Sequence, residues 1–171
     1  VTITFSVQDL LGYTAWQRQV WHRWFQREGD SALAVSVGPH TDGRFGTVGA
    51  LIRHIFSAEL RYVERIGKLP LTDTASVASD NAGALFRFGE TTRARFMNLV
   101  DTFPADGWDV PVEISLMNAA IRLSPRKIVL QVLTHEIRHW AQVATLLRLQ
   151  GRKGDPQDLL FSPVLGDPMP M

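Results

Sequence analysis

The chain has 171 residues, 45% of them hydrophobic and 20% charged, which describes one ordinary globular domain with a single substantial core. Eighteen basic against seventeen acidic side chains leave a formal charge of +1, so nothing points to a nucleic-acid or anionic-membrane partner. Cysteine is absent, which excludes disulfides, thiolate ligands and a protein-borne thiol nucleophile.

Val1 to Leu11 carries Asp9 and no basic flank, unlike a signal peptide, and no run of about 18 apolar residues could span a bilayer. A soluble, cytoplasmic protein is the expectation. Helical periodicity begins at about Val7 and runs to Glu28 through Leu10, Leu11, Trp16, Val20, Trp24 and Phe25. Gly29-Asp30 and then Gly38-Pro39 mark its exit, with a short strand-like stretch between Ala32 and Val37. A second helix is predicted from Thr47 to Gly67, where Leu51, Ile55, Ala58 and Tyr62 share a face and Arg61 and Arg65 complement the C-terminal dipole. Lys68 to Asn81 reads as a loop. The third helix runs from about Ala82 to Thr102, and Phe103-Pro104 closes it.

Val110, Val112, Ile114 and Leu116 alternate as a short strand does, and Met117-Asn118 can turn the chain back through Ala120 to Arg122 as a hairpin. Ser124-Pro125 then gives an N-cap followed by proline at the first helical position. The fourth helix extends to Gln150, with Gly151 as its C′ residue. Residues 152–171 are rich in proline and read as an irregular tail. The expected architecture is an all-α single domain over 1–171: a four-helix bundle over about 7–151 with a short β-hairpin before the last helix.

The chemistry is concentrated in His135-Glu136-Ile137-Arg138-His139. Residues four apart differ by about 40° around a helix, so the two imidazoles share one face, a turn apart, as a bidentate metal clip. They lie in the stripe Ile128, Val132, His135, His139, Gln142, Val143 and Leu146, which faces the core, whereas Glu136 and Arg138 are expected to project away from it. His54 sits among Leu51, Ile55 and Ala58 on the second helix and can bring a third imidazole to the pair. Three neutral imidazoles with an open position suit zinc, nickel, cobalt or iron(II). His22, among Trp21, Arg23 and Trp24, and His40, in a Gly/Pro loop, read as surface or packing residues.

His-Glu-x-x-His is also the zinc-peptidase signature with Glu136 as general base. No Glu follows His139, and no Gly-x-x-His continuation exists; Asp155 and Asp158 could be third ligands only from the tail.

Residues 51 to 62 (Leu-Ile-Arg-His-Ile-Phe-Ser-Ala-Glu-Leu-Arg-Tyr), 134 to 148 (Thr-His-Glu-Ile-Arg-His-Trp-Ala-Gln-Val-Ala-Thr-Leu-Leu-Arg) and 10 to 16 (Leu-Leu-Gly-Tyr-Thr-Ala-Trp) together resemble the DinB-like superfamily of four-helix-bundle, metal-dependent proteins (DinB/YfiT-like), which includes thiol-dependent S-transferases and relatives of maleylpyruvate isomerase. The resemblance implies a metal triad of His54, His135 and His139, and an up-down-down-up bundle in which helices two and three run parallel. The fourteen residues from Lys68 to Asn81 can extend about 45 Å, enough for the crossover this demands. It also implies a homodimer and a low-molecular-weight thiol cosubstrate activated at a divalent ion, zinc or nickel first, with iron, cobalt or manganese next. A non-catalytic stress-response or binding module with a structural metal is the alternative, and the peptidase a third. Gln142 can orient a ligand, and a polar residue at the bundle end explains it equally. Tyr13 and Trp16 can line the pocket and Arg53, Arg61 and Arg138 can meet an anionic cosubstrate, although core packing for the aromatics and solvated charge for the arginines are the readier explanations.

Overall fold

A computed structural model describes residues 4, 6–38, 43–116 and 119–166. Its four long helices are α1 (Val7–Glu28), α2 (Val48–Ile66), α3 (Ala82–Thr102) and α4 (Pro125–Leu149), with a hairpin of β1 (Val112–Leu116) and β2 (Ala119–Leu123) before α4. Each helix starts where a short polar side chain can satisfy backbone donors that have no helical partner. Ser6 and Asp9 form a reciprocal capping box on α1, and Thr47, Asn81 and Ser124 cap α2, α3 and α4. Pro125 takes the first turn of α4, and Gly151, at φ 73°, ends it by donating to the Arg148 carbonyl. At the end of α2 the left-handed position falls to Lys68 (φ 53°), one residue beyond Gly67.

Contacts between side chains fix the direction of each helix. α1 and α3 run antiparallel: Thr14 meets Arg93, Arg18 meets Gly89 and His22 stacks on Phe86. α1 and α4 run parallel, through Arg18 with Glu136 and Trp21 with Trp140. α2 and α3 are also parallel, since Glu59 meets Thr92 and Glu64 lies near Arg95. α2 and α4 are antiparallel: His54 faces His135 and His139, whereas Tyr62, two turns further along α2, borders one cavity with Lys127 and Gln131 on the earlier part of α4. The bundle is therefore up-down-down-up, and the segment from Gly67 to Asn81 is the long crossover that a parallel pair requires. Close approach of this pair is set at Gly89, where a Cβ would stand 2.8 Å from the Phe56 ring.

The hairpin pairs Val112 with Leu123 and Ile114 with Ile121, and it buries Ile114 in the core. Its expected Met117-Asn118 turn lies outside the described residues, as do Pro39 and His40. Between α1 and α2, the strand-like stretch is a 3-10 turn (Asp30–Ala32) followed by one bridge, Ser36 to Thr47. Beyond α4 the described residues are irregular apart from a 3-10 turn at Leu159–Phe161, and the segment touches α1: Trp24 and Tyr13 donate to the carbonyls of Lys153 and Gln157. No helix among the described residues is long and apolar enough to cross a membrane.

The core is divided. One apolar cluster contains Trp21, Phe25, Leu51, Phe56, Phe86 and Trp140; the other contains Leu11, Val63, Phe96, Ile128, Val132 and Leu133. Arg18, Glu59, Arg93 and Glu136, one from each helix, lie along the chain between the contributions to these clusters and form a layer of paired charge.

Candidate metal centre

His135 and His139 stand a turn apart on α4 and His54 stands opposite on α2, because α2 and α4 pack antiparallel. His139 is buried and the other two are half-buried. His135 Nε2 lies 3.2 Å from His54 Nε2 and 3.0 Å from His139 Nε2, and one ligand nitrogen from each ring lies within 4.8 Å of the others. A lone ring nitrogen can donate or accept one hydrogen bond, so it cannot serve two such neighbours well. Ligand nitrogens held about 2.0–2.1 Å from a tetrahedral ion are separated by about 3.3–3.4 Å, close to the spacing seen here. The three-histidine group can therefore hold a metal ion.

The protonation state suits ligation. Burial pushes the His135 pKa down to about 3, with neighbouring His139, His54 and Arg138 adding to the effect and Glu136 opposing it, so the ring is neutral at ordinary pH. Gln142, one turn beyond His139, places its Oε1 against His139 Nδ1. An amide oxygen only accepts, so the proton sits on Nδ1 and the Nε2 lone pair faces the other two histidines. Phe45 packs against His54 with ring centroids 4.6 Å apart. Beside His54, between α2 and the crossover segment, lies a cavity of about 500 Å³ whose lining includes Arg53, Ser57, Arg61 and Asp73.

Glu136 corrects one expectation. It does not project to solvent: it is 1% exposed, and Arg18, Arg93 and Trp140 donate to its two oxygens. Arg18 also donates to both oxygens of Glu59, and Arg93 lies 3.1 Å from Glu59. Burial raises the Glu136 pKa, but the two guanidiniums outweigh it and hold the carboxyl below its ordinary value. Burial likewise works against the charge on Arg18, which Glu136 and Glu59 overcome; in Arg93, burial and the nearby Arg18 prevail and lower the pKa. A carboxylate bonded in this way is not placed as the general base that a His-Glu-x-x-His peptidase needs, and that reading loses its catalytic group.

This quartet went unpredicted, although a signal was present. Arg18 stands in the series Leu11, Thr14, Arg18, Trp21, Phe25, and Glu136 in Val129, Leu133, Glu136, Trp140, Val143, both at core spacing. Arg138 is exposed, as expected. Tyr13 and Trp16 stack on each other, and Tyr13 donates to the Gln157 carbonyl; neither lines the cavity at His54. Asp155 pairs with Arg27 and is not among the clustered groups. His22 packs flat on Phe86 at 4.7 Å.

Comparison with known proteins supports the same reading. The chain matches the family model described as the DinB family over residues 4–165. A search of curated proteins finds no match.

Proposed function

The chain belongs to the DinB family, and from that premise we propose that it is a metal-dependent enzyme that uses a low-molecular-weight thiol as cosubstrate in a transfer or isomerisation reaction. The observation that carries the reading is the convergence of three imidazole nitrogens at 3.0 and 3.2 Å beside an accessible cavity. His54, His135 and His139 are the proposed ligands, and zinc or nickel the proposed ion, with iron, cobalt or manganese also compatible with imidazole donors. A divalent ion there supplies Lewis acidity, lowering the pKa of a coordinated thiol so that it is deprotonated near neutral pH.

The protein's own groups do the rest. Gln142 fixes the His139 tautomer and ring plane, as an outer partner of a ligating histidine does. The apolar stripe on α4 holds His135 neutral. A cysteine-free chain carries no thiol nucleophile, which is consistent with one that arrives as cosubstrate. Three protein ligands, with no fourth His, Asp or Glu in the group among the described residues, support an open site over a closed structural one. A second copy of the chain is the proposed partner; exposed Leu160, Phe161 and Leu165 support an apolar interface.

The test is spectroscopic. Adding a small thiol to nickel- or cobalt-loaded protein should produce a near-ultraviolet thiolate-to-metal band, absent from His135→Ala. If loaded wild-type protein shows no such band at saturating thiol, the thiol reading is wrong.

A further inference from the structure

The cavity beside His54 has a charge pattern that metal ligation does not use. Arg53, Ser57 and Arg61 follow one another at intervals of four residues along α2, so they share the face that borders the cavity, with His54 adjoining. Arg44 also lines it, giving three guanidiniums against one carboxylate, Asp73. The nearby acids already have work in the crossover segment: Asp73 accepts from the Ala75 backbone at 2.8 Å, and Glu64 accepts from the Thr72 backbone at 3.0 Å and from its hydroxyl.

The two α2 arginines are placed at the cavity but not consumed. Arg53 donates from Nη1 alone to the carbonyls of Ala75 and Val77, both at 3.0 Å. Those bonds anchor the guanidinium to the cavity wall and leave Nε and Nη2 for another acceptor. Arg61 is half-buried and has no hydrogen bond or ion pair among the described residues. Ser57 is 4% exposed, and its buried hydroxyl has no hydrogen-bond partner there. A buried hydroxyl without an acceptor is costly unless something completes it. Two anchored or half-buried guanidiniums flanking it on one helix face call for an anionic acceptor. At about 500 Å³ the cavity admits a small molecule.

We propose that this cavity is an anion subsite: the carboxylate or phosphate group of a small-molecule ligand sits on Arg53 and Arg61 with the Ser57 hydroxyl, directing the remainder of the ligand toward His54. Only that final direction rests on the metal reading; the anion contacts do not.

The test is calorimetric titration of the full chain, stripped of metal and chelator, with succinate, inorganic phosphate and neutral succinamide. Saturable binding of succinate, phosphate or both supports the subsite, and the pattern tells carboxylate from phosphate; succinamide should not bind. Arg61→Gln should weaken the anion by about ten-fold or more, Arg61→Lys by less, and Ser57→Ala by a few-fold. Arg23→Gln, on exposed α1 surface, should bind as wild type does. No saturable anion binding, or equal binding by wild type and Arg61→Gln, overturns the subsite. Metal uptake by the same preparation, re-equilibrated with zinc or nickel and desalted, separates the two readings: Arg61-dependent anion binding by a chain that takes up no metal upholds the subsite and removes the metal centre.

Discussion

The core of this bundle contains two polar regions, and they are built on opposite terms. The charge quartet is closed: two arginines and two glutamates, one per helix, neutralise one another and have their oxygens and most of their N–H groups bonded inside the protein. The histidine trio is left open. Its three rings aim like groups at one another, with the His139 Nε2 lone pair at the point of convergence, and adjoin a cavity. A closed network specifies which helix faces which, whereas an open one stores a binding capacity that folding alone does not satisfy. The neighbours Glu136 and His135 belong to different regions because α4 presents two adjoining core stripes, one toward α1 and α3 and the other toward α2.

This contrast predicts different responses to damage, the largest in the quartet. Glu136→Ala leaves Arg18 and Arg93 without a partner and should cost about 3–5 kcal/mol of unfolding free energy. His135→Ala in metal-free protein should cost far less, because it removes one of three crowded like groups. Urea denaturation of both variants without metal measures the difference, and equal losses would break the contrast. Arg18→Met combined with Glu136→Leu should lose less than the sum of the single changes, with a coupling of about 1–3 kcal/mol in a double-mutant cycle.

Metal linkage is the next effect. At a free concentration about 100 times its dissociation constant, zinc or nickel should stabilise the wild type by about 2.7 kcal/mol and leave His54→Ala, His135→Ala and His139→Ala unmoved. Thermal or urea unfolding with and without the ion reads this directly. Gln142→Leu is subtler. It should weaken metal affinity by about 10- to 100-fold without altering metal-free stability, since Gln142 acts on the His139 ring and not on the core. A competitive chelator titration measures it.

The smallest effect is with pH. Glu136 is held below its ordinary pKa of 4.5 when folded, so its contribution to stability is complete above about pH 4.5 and is lost as pH falls through the lower folded value. Glu136→Gln should flatten that acid limb of the stability profile, and an unchanged limb would assign acid sensitivity to another group.

The helices were readable because their local signals agree with the tertiary structure. Ser124-Pro125, Asn81 and Thr47 mark starts by backbone chemistry alone, and the alternation around Val112 and Ile114 marks the hairpin. The His135–His139 pair followed from helical spacing, while His54 needed the family resemblance, because a single histidine on an apolar stripe carries no pairing information. Core spacing on α4 carries a signal for the inward turn of Glu136 but does not name its partners. A charge on a core stripe is tolerable only if other helices bring its counter-charges, and Arg18 and Arg93 lie 118 and 43 residues away. Arg53 and Arg61 were legible on α2 as groups that can meet an anion, but the cavity they line was not, for a similar reason: its other wall is the crossover segment, whose path over α2 is a tertiary property.

The central claim is that the trio is a ligand set. Metal analysis of purified wild type and of His54→Ala, His135→Ala and His139→Ala, each equilibrated with zinc or nickel and desalted, tests it most directly. One ion per wild-type chain, lost in each variant, is the predicted result. A wild type that retains none, or variants that retain as much as the wild type, would contradict it.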